Sequence, residues 1–404
     1  MNRHDSPAPP QQIPLPGADG DFYQFAGTLS QQEHARVLEV RAFMEQQVQP
    51  IISGYWERDE FPFELLPGIK ALGISGMPYQ GYGCPGGTTT LLGFITLEIA
   101  RVDSSIATFF GVHSGLAMGS IHLCGSEAQK EKWLPPMARM DKIGSFGLTE
   151  PEVGSGAAGG LTTTARRDGD TWILNGQKKW IGNATWGDVT IVWARDVDDN
   201  QVKGFIVENA TPGFHVDKIL HKMALRVVQN GLITLTDCRV AEADRLQKAT
   251  SFKDTARVLA ATRAGVAWES VGCARGAYEY ALRYARERMQ FGKPIASFQL
   301  VQDLLFRMLC NITSTQAVCV RLSQMQDQGL MRDEHAALAK GVCTVRMRET
   351  VGWARELLGG NGILLDQQVG RFVADAEALY SYEGTREMNA LIVGRAITGF
   401  SAFV

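Results

Sequence analysis

TTTARRDGDTWILNGQKKWIGNATWGDVTIVWARDVDDNQVKGFIVENATPGF, residues 162–214, alternates β-branched and aromatic runs with the turn pairs Asp168-Gly169, Asn175-Gly176 and Asp199-Asn200. A side-chain period of two, punctuated by residues that tolerate left-handed backbone, predicts an antiparallel β domain. The chain on either side has a different period. From about residue 31 to 140 it is helical, with Val37, Val40 and Phe43 on one face and Pro50 closing the segment. LLGFITLEIARV (91–102) and SEAQKEKWLPPMA (126–138) continue that pattern. After about residue 251 it returns: Val301, Leu304, Leu305, Met308 and Ile312 make one stripe, and segments 255–287, 335–358 and 385–400 complete a four-helix bundle. The expected fold class is therefore α+β. A flexible arm (1–30) precedes an N-terminal helical domain (31–145), a middle antiparallel β domain (146–248) and a C-terminal bundle (249–404). A β domain set between helical blocks leaves a cleft at the junction, a natural cofactor site.

Composition narrows the partners. A chain of 404 residues with 45% hydrophobic and 21% charged content is too long for one core and ordinary for a soluble multidomain protein. A net charge of −3 supplies no basic footprint for nucleic acid and no polybasic membrane anchor, which leaves small molecules and other proteins. Seven scattered cysteines without a CxxC pair fit reduced thiols and a cytoplasmic location. Five of the fifteen prolines fall in the first twenty residues, which contain no signal-peptide core, and no later window reads as a membrane span. GYGCPG (81–86) has dinucleotide-fingerprint spacing but no strand before it, and Pro85 lies inside it. DVDDNQ (196–201) starts like a calcium loop, yet Gln201 stands where glycine is required, so it reads as a hairpin turn.

ALYSYEGTREMNA (378–390) poses the chemical question. Glu383 lies among Tyr380, Tyr382, Gly384 and Thr385, with no neighbour in sequence to neutralise it before Arg386. It is either a solvated carboxylate ahead of a helix that starts near Thr385, or a desolvated one whose raised pKa makes it a general base. The stretch by itself leaves both readings open.

Four more stretches bear on the choice. FGLTEPEVGSG (146–156) opens the β domain, KKWIGN (178–183) follows a turn within it, RERMQFGKP (286–294) ends one bundle helix and ELLGGNG (356–362) ends another. Each has a plain structural meaning: turn chemistry at Gly154, a core ring at Trp180, a solvated charge at Arg288, a glycine helix stop at 359–362. Together with YEGT (382–385), in this order and spacing, they resemble the acyl-CoA dehydrogenase superfamily over nearly the whole chain after the arm. The resemblance is greatest to the branch of glutaryl-CoA dehydrogenases and plant peroxisomal short-chain acyl-CoA oxidases.

The resemblance implies an FAD enzyme that α,β-dehydrogenates an acyl-CoA thioester to a trans-2-enoyl-CoA, with Glu383 as the α-proton base and hydride leaving for flavin N5. It implies that Leu148 and Thr149 bond the flavin edge, that Trp180, Ile181 and Gly182 line its face, and that Ser155 meets both FAD and acyl-CoA. Arg288, Gln290, Phe291, Gln299, Glu356 and Gly360 would reach the FAD of a neighbouring subunit in a homotetramer, while Thr385 and Phe403 would touch the cofactor. Arg263 would help hold CoA, Gly384 would lie beside the substrate, and Thr262 stands where some relatives carry their base. An oxyanion hole at the Glu383 N–H would polarise the thioester, and an electron-transfer flavoprotein would take the electrons. Three departures from the pattern stand out: Gly156 replaces an Asp, Gly182 replaces a Thr, and Ala107 and Gly111 replace the pair that binds a distal carboxylate in glutaryl-CoA dehydrogenases. These departures point to an uncharged short or medium acyl chain. The alternatives are an oxidase that uses oxygen and a flavin-free helical scaffold.

Overall fold

The computed structural model describes residues 20–402, so Phe403 lies outside the described residues. The expected arm ends sooner than residue 30. The buried Asp21 carboxylate accepts from the N–H groups of Phe25 (2.8 Å) and Ala26 (3.0 Å), which starts a helical turn at Phe25–Thr28 packed on the main core.

The first domain is helical: α1 (Gln31–Phe43), α2 (Gln49–Arg58), α3 (Leu66–Leu72), α4 (Thr89–Val102), α5 (Ser104–Phe110), α6 (Met118–Cys124) and α7 (Glu127–Ala138). Pro50 does not close the segment as the sequence implied. A wide π-type turn, Met44–Val48, carries α1 into α2, and the proline occupies the first turn of α2, where its missing N–H costs little. A second π-type turn, Gly111–Ala117, joins α5 to α6. The rod Ser104–Cys124 is long and apolar enough to cross a membrane by length and composition, but 61% of it is buried within the protein.

The β domain holds β1 (Gly144–Gly147), the one-turn α8 (Ala157–Gly160), β2 (Thr164–Asp168), β3 (Thr171–Ile181), β4 (Val189–Asp196), β5 (Val202–Glu208), β6 (Phe214–Lys218) and β7 (Gly231–Ala241). The sheet runs β1-β4-β2-β3-β7-β6, with β5 also on β4. The antiparallel pattern holds for β2–β3, β3–β7, β6–β7 and β4–β5. It gives way at β4, which both β1 and β2 join in parallel, because neither reaches β4 through a hairpin. Asn175-Gly176 is a bulge inside β3 and not a turn: Gly176 has φ +141°, and a Cβ there would lie 2.7 Å from Thr163 Cα.

The last domain contains α9 (Phe252–Glu287), a small hairpin of β8 (Met289–Gln290) and β9 (Lys293–Pro294), α10 (Gln299–Asp327), α11 (Asp333–Leu357), α12 (Val369–Ser381) and α13 (Arg386–Thr398). The stripe on α10 faces inward, with Met308 and Ile312 fully buried. The sequence pattern missed α12 because its inner face carries charge. Arg371 pairs with Asp103 there, and Asp375 accepts from Trp56 Nε1 (3.1 Å) and the Leu225 N–H (2.7 Å), so one helix ties all three domains together. A second tie is steric. Along the contact of α4 with α9, a Cβ at Gly93 would lie 2.3 Å from the Trp268 ring, and one at Gly272 would lie 2.4 Å from the Leu97 carbonyl oxygen. Only glycine permits that approach.

Candidate active site

Glu383 lies in the turn between α12 and α13, with φ +52°, followed by Gly384 at +83°. Left-handed backbone at a glutamate persists only where its surroundings hold it. Here Lys340 on α11 donates to the carbonyls of Tyr380 and Gly384, both at 2.8 Å, and Asn389 Nδ2 donates to those of Gly384 (2.9 Å) and Thr385 (3.0 Å). Arg263 Nε donates to the Glu383 carbonyl at 3.3 Å while its guanidinium pairs with Asp333. The Thr385 hydroxyl caps α13 by accepting from the Met388 N–H. Arg386, the neutralising neighbour in sequence, pairs instead with Glu387.

The Glu383 carboxylate makes no ion pair among the described residues. Burial pushes Glu383 up to about 7, against the opposing pull of Arg263, Lys340 and the Thr262 hydroxyl, which donates to Oε1 at 3.4 Å. Oε2 is buried with no hydrogen-bond partner among the described residues. Nor does any described residue accept from the Glu383 N–H. A poised base beside a free backbone donor can take a proton and stabilise the oxyanion that results.

The β domain supplies a second group. Lys178, fully buried on β3, donates to the Leu148 carbonyl (3.0 Å) and pairs with Glu150 (2.8 Å), and Glu150 also accepts from the N–H groups of Thr162 and Thr163. Lys179 N–H donates to the Thr149 carbonyl at 2.8 Å. These bonds bring the Leu148–Thr149 edge against residues 180–182. Trp180, at φ +68°, keeps 53% of its surface exposed, while Ile181 and Gly182 are buried beneath it. Asn183 Nδ2 donates to the carbonyls of Phe109 and Gly144, which fixes this edge to α5 and β1. Ser155 lies on an exposed loop between Gly154 and Gly156, where a Cβ would meet nothing within 4 Å. Of the distal pair, Gly111 is exposed and Ala107 is buried in the core, so Ala107 lines nothing directly.

The third group lies elsewhere. Arg288, Gln290, Phe291, Gln299, Glu356 and Gly360 are all exposed, and Asn361 Nδ2 donates to Tyr284 Oη (2.8 Å), which gathers the ends of α9 and α11. Thr262, beside the base, and Arg288, at the end of α9, are separated by 26 residues of one helix, about 39 Å at 1.5 Å per residue. Arg288 has no ion-pair partner among the described residues. Its environment suits a phosphate, and the exposed Trp180 face with the open 154–156 loop suits a planar ring system, so the residues present fit FAD. Sequence reasoning missed Lys178, Glu150 and Lys340, whose one signal is a charge in an otherwise apolar or β-patterned run.

Comparisons with known proteins give the family. Residues 30–141, 145–238 and 252–398 match the family models for the N-terminal, middle and C-terminal domains of acyl-CoA dehydrogenase. An acyl-CoA dehydrogenase of Bacillus subtilis (strain 168) is 32% identical over 89% of this chain and 96% of its own length. Glutaryl-CoA dehydrogenase from Mycobacterium smegmatis superposes with a TM-score of 0.92 at 38% identity over 96% of this chain and all of its own, and a glutaryl-CoA dehydrogenase of the same organism in complex with FADH2 superposes with a TM-score of 0.92 at 35% identity over the same shares. Butyryl-CoA dehydrogenase from Megasphaera elsdenii superposes with a TM-score of 0.88 at 30% identity over 91% of this chain and 98% of its own. The chain belongs to the acyl-CoA dehydrogenase family, an oxidoreductase of acyl-CoA thioesters with FAD as its cofactor.

Proposed function

We propose that the protein converts an uncharged short- or medium-chain acyl-CoA to its trans-2-enoyl-CoA, with Glu383 as the base. The observation that carries this is the buried, half-satisfied carboxylate of Glu383, poised near neutrality beside its own free N–H. Glu383 removes the α-proton, its N–H meets the thioester oxygen, and the Cα–H electron pair forms the new double bond as the β-hydride departs. FAD, when bound, supplies the hydride acceptor. Leu148, Thr149, Ser155, Trp180 and Thr385 would hold it from this subunit. Arg263, already committed to Asp333 and the Glu383 carbonyl, serves the turn first and CoA second. Ala107 and Gly111 offer no charge for a distal carboxylate, which supports a neutral acyl end.

The length of α9 supports an oligomer. The group around Arg288 is too far along the helix to serve the same chain's base, and it suits the FAD of a neighbouring copy in a tetramer. An electron-transfer flavoprotein is the proposed acceptor, and the seven free cysteines are consistent with a cytoplasmic location. Oxygen as acceptor gains nothing from Gly182: the residue is buried, and a Cβ there would lie 3.3 Å from Val112 Cγ2, so it is a tight contact and not an opening.

The test is anaerobic mixing of the FAD-loaded protein with butyryl-, hexanoyl- and glutaryl-CoA. The first two should bleach the flavin and yield enoyl-CoA, and glutaryl-CoA should be poor, since burying an unpaired charge costs several kcal/mol. A flavin that none of the three reduces would refute the assignment.

A further inference from the structure

Glu269 is a buried carboxylate that the chemistry above does not use. It lies on α9 seven residues, about 10 Å, beyond Thr262 and on the same helical face. Its Oε1 is 2.8 Å from the Thr108 hydroxyl on α5, and its Oε2 accepts from the Tyr382 hydroxyl at 2.7 Å, next to the base. Proton counting indicates the state of this group. The Thr108 hydroxyl also lies 2.8 Å from the Ser104 carbonyl and has one hydrogen to give. A protonated Glu269 resolves the count by donating to Thr108. Burial favours that form, pushing Glu269 up to about 8 against its bonds to Tyr382 and Thr108, and the carboxylates of Asp375 and Asp103 add to the push.

The position of this bridge gives it a consequence. The rod of α5 and its π-type turn approaches α9 at two places: a Cβ on Gly115 would lie 3.3 Å from Thr262 Cγ2, and Thr108 meets Glu269. Between them along the two helices fall Gly111 and Gly265, and a Cβ on either would meet nothing within 4 Å. An acyl chain laid along these glycines would have Glu383 and Thr262 at one end and Glu269, Thr108 and Tyr382 across the other.

We propose that Glu269, braced by Thr108 and Tyr382, is a specificity-determining residue that closes the acyl slot and limits the substrate to short chains. This rests on the acyl-CoA reading above and adds the chain length to it. A hydrogen-bonded plug suits the task better than an apolar one, because two bonds hold it against displacement by a longer chain.

The experiment compares wild-type holoenzyme with Glu269→Ala, Glu269→Val and Glu269→Gln. Two readouts are taken: kcat/KM for butyryl- and octanoyl-CoA with an artificial acceptor, and calorimetric binding of crotonyl- and 2-octenoyl-CoA, which need no turnover. The small variants should raise the octanoyl-to-butyryl ratio at least about tenfold, mainly through KM, and raise the octenoyl-to-crotonyl affinity ratio in step. Glu269→Gln, which keeps the donor and acceptor of a neutral acid, should stay near wild type. A small variant that retains FAD and leaves both ratios within about twofold of wild type overturns the proposal, as does a wild type that already prefers octanoyl-CoA. If no acyl-CoA reduces the wild-type flavin, the functional reading fails on its own, and the binding ratios still decide the role of Glu269.

Discussion

The two ends of α9 are built to opposite rules. Around Thr262 the chain holds itself: Arg263 and Lys340 fix the backbone of the Glu383 turn, and Glu383 Oε2 is buried without a partner among the described residues. Around Arg288 the hairpin presents Phe291 with 91% of its surface exposed, a guanidinium without an ion pair among the described residues, and two glutamines in the open. One end is complete in a single chain and the other is not. The difference teaches where the proposed reading divides the work: a lone subunit would hold the base with half a cofactor site and donate the other half.

The largest effect should come from Glu383→Gln, which keeps the shape and removes the base. Turnover should fall about 10² to 10⁴-fold with FAD retained. Because the base works as its carboxylate, wild-type activity should rise as pH increases through about 7 and fall below it, and the variant should lose that limb. Flavin reduction at near wild-type rate would break the assignment of chemistry to the enclosed end. Lys178→Met comes next. It strands the Glu150 carboxylate, which Lys178 and the threonine donors now hold at about 2, inside the fold. Removing one partner of such a pair costs about 3–5 kcal/mol, so thermal melting should fall sharply and FAD should be lost from the Leu148–Thr149 edge.

Arg288→Ala addresses the open end. Losing a charge-assisted contact should weaken FAD retention roughly tenfold and shift sedimentation toward smaller species, leaving the thermal stability of the single chain unchanged. Full FAD occupancy and unchanged assembly would show that both ends serve one subunit. The smallest effect is expected at Gly182→Ala. It should press on Val112 and reduce FAD affinity a few-fold, and hydrogen peroxide should stay below about a tenth of acceptor-driven turnover in both proteins. Peroxide equal to turnover would make oxygen the acceptor.

The three-part order of helix, sheet and helix was legible because periods of 3.6 and 2 are local properties of the chain. What escaped was set by distant partners. Asn175-Gly176 carries the signature of a tight turn, and only the approach of Thr163 makes it a bulge. Pro50 reads as a stop until the π-type turn before it absorbs the proline. The inner charges of α12 find Asp103 and Trp56 more than 260 positions away, so no window of sequence could reveal them as interior. In the site, YEGT left Glu383 open between a solvated and a desolvated carboxylate, and the order and spacing of the other motifs pointed to the base. Lys340, Lys178 and Glu269 showed only as charges in patterned runs, since the groups they bond are brought to them on folding.

The glycine seam between α4 and α9 bears on how the protein is made. Gly93 leaves the ribosome about 175 residues before Trp268, the ring it must pack against. At roughly 5–20 residues per second, α4 waits on the order of ten seconds or more with that apolar face uncovered. The first domain therefore cannot finish folding until α9 has been synthesised, and its nascent form is a natural client for chaperones until that helix arrives.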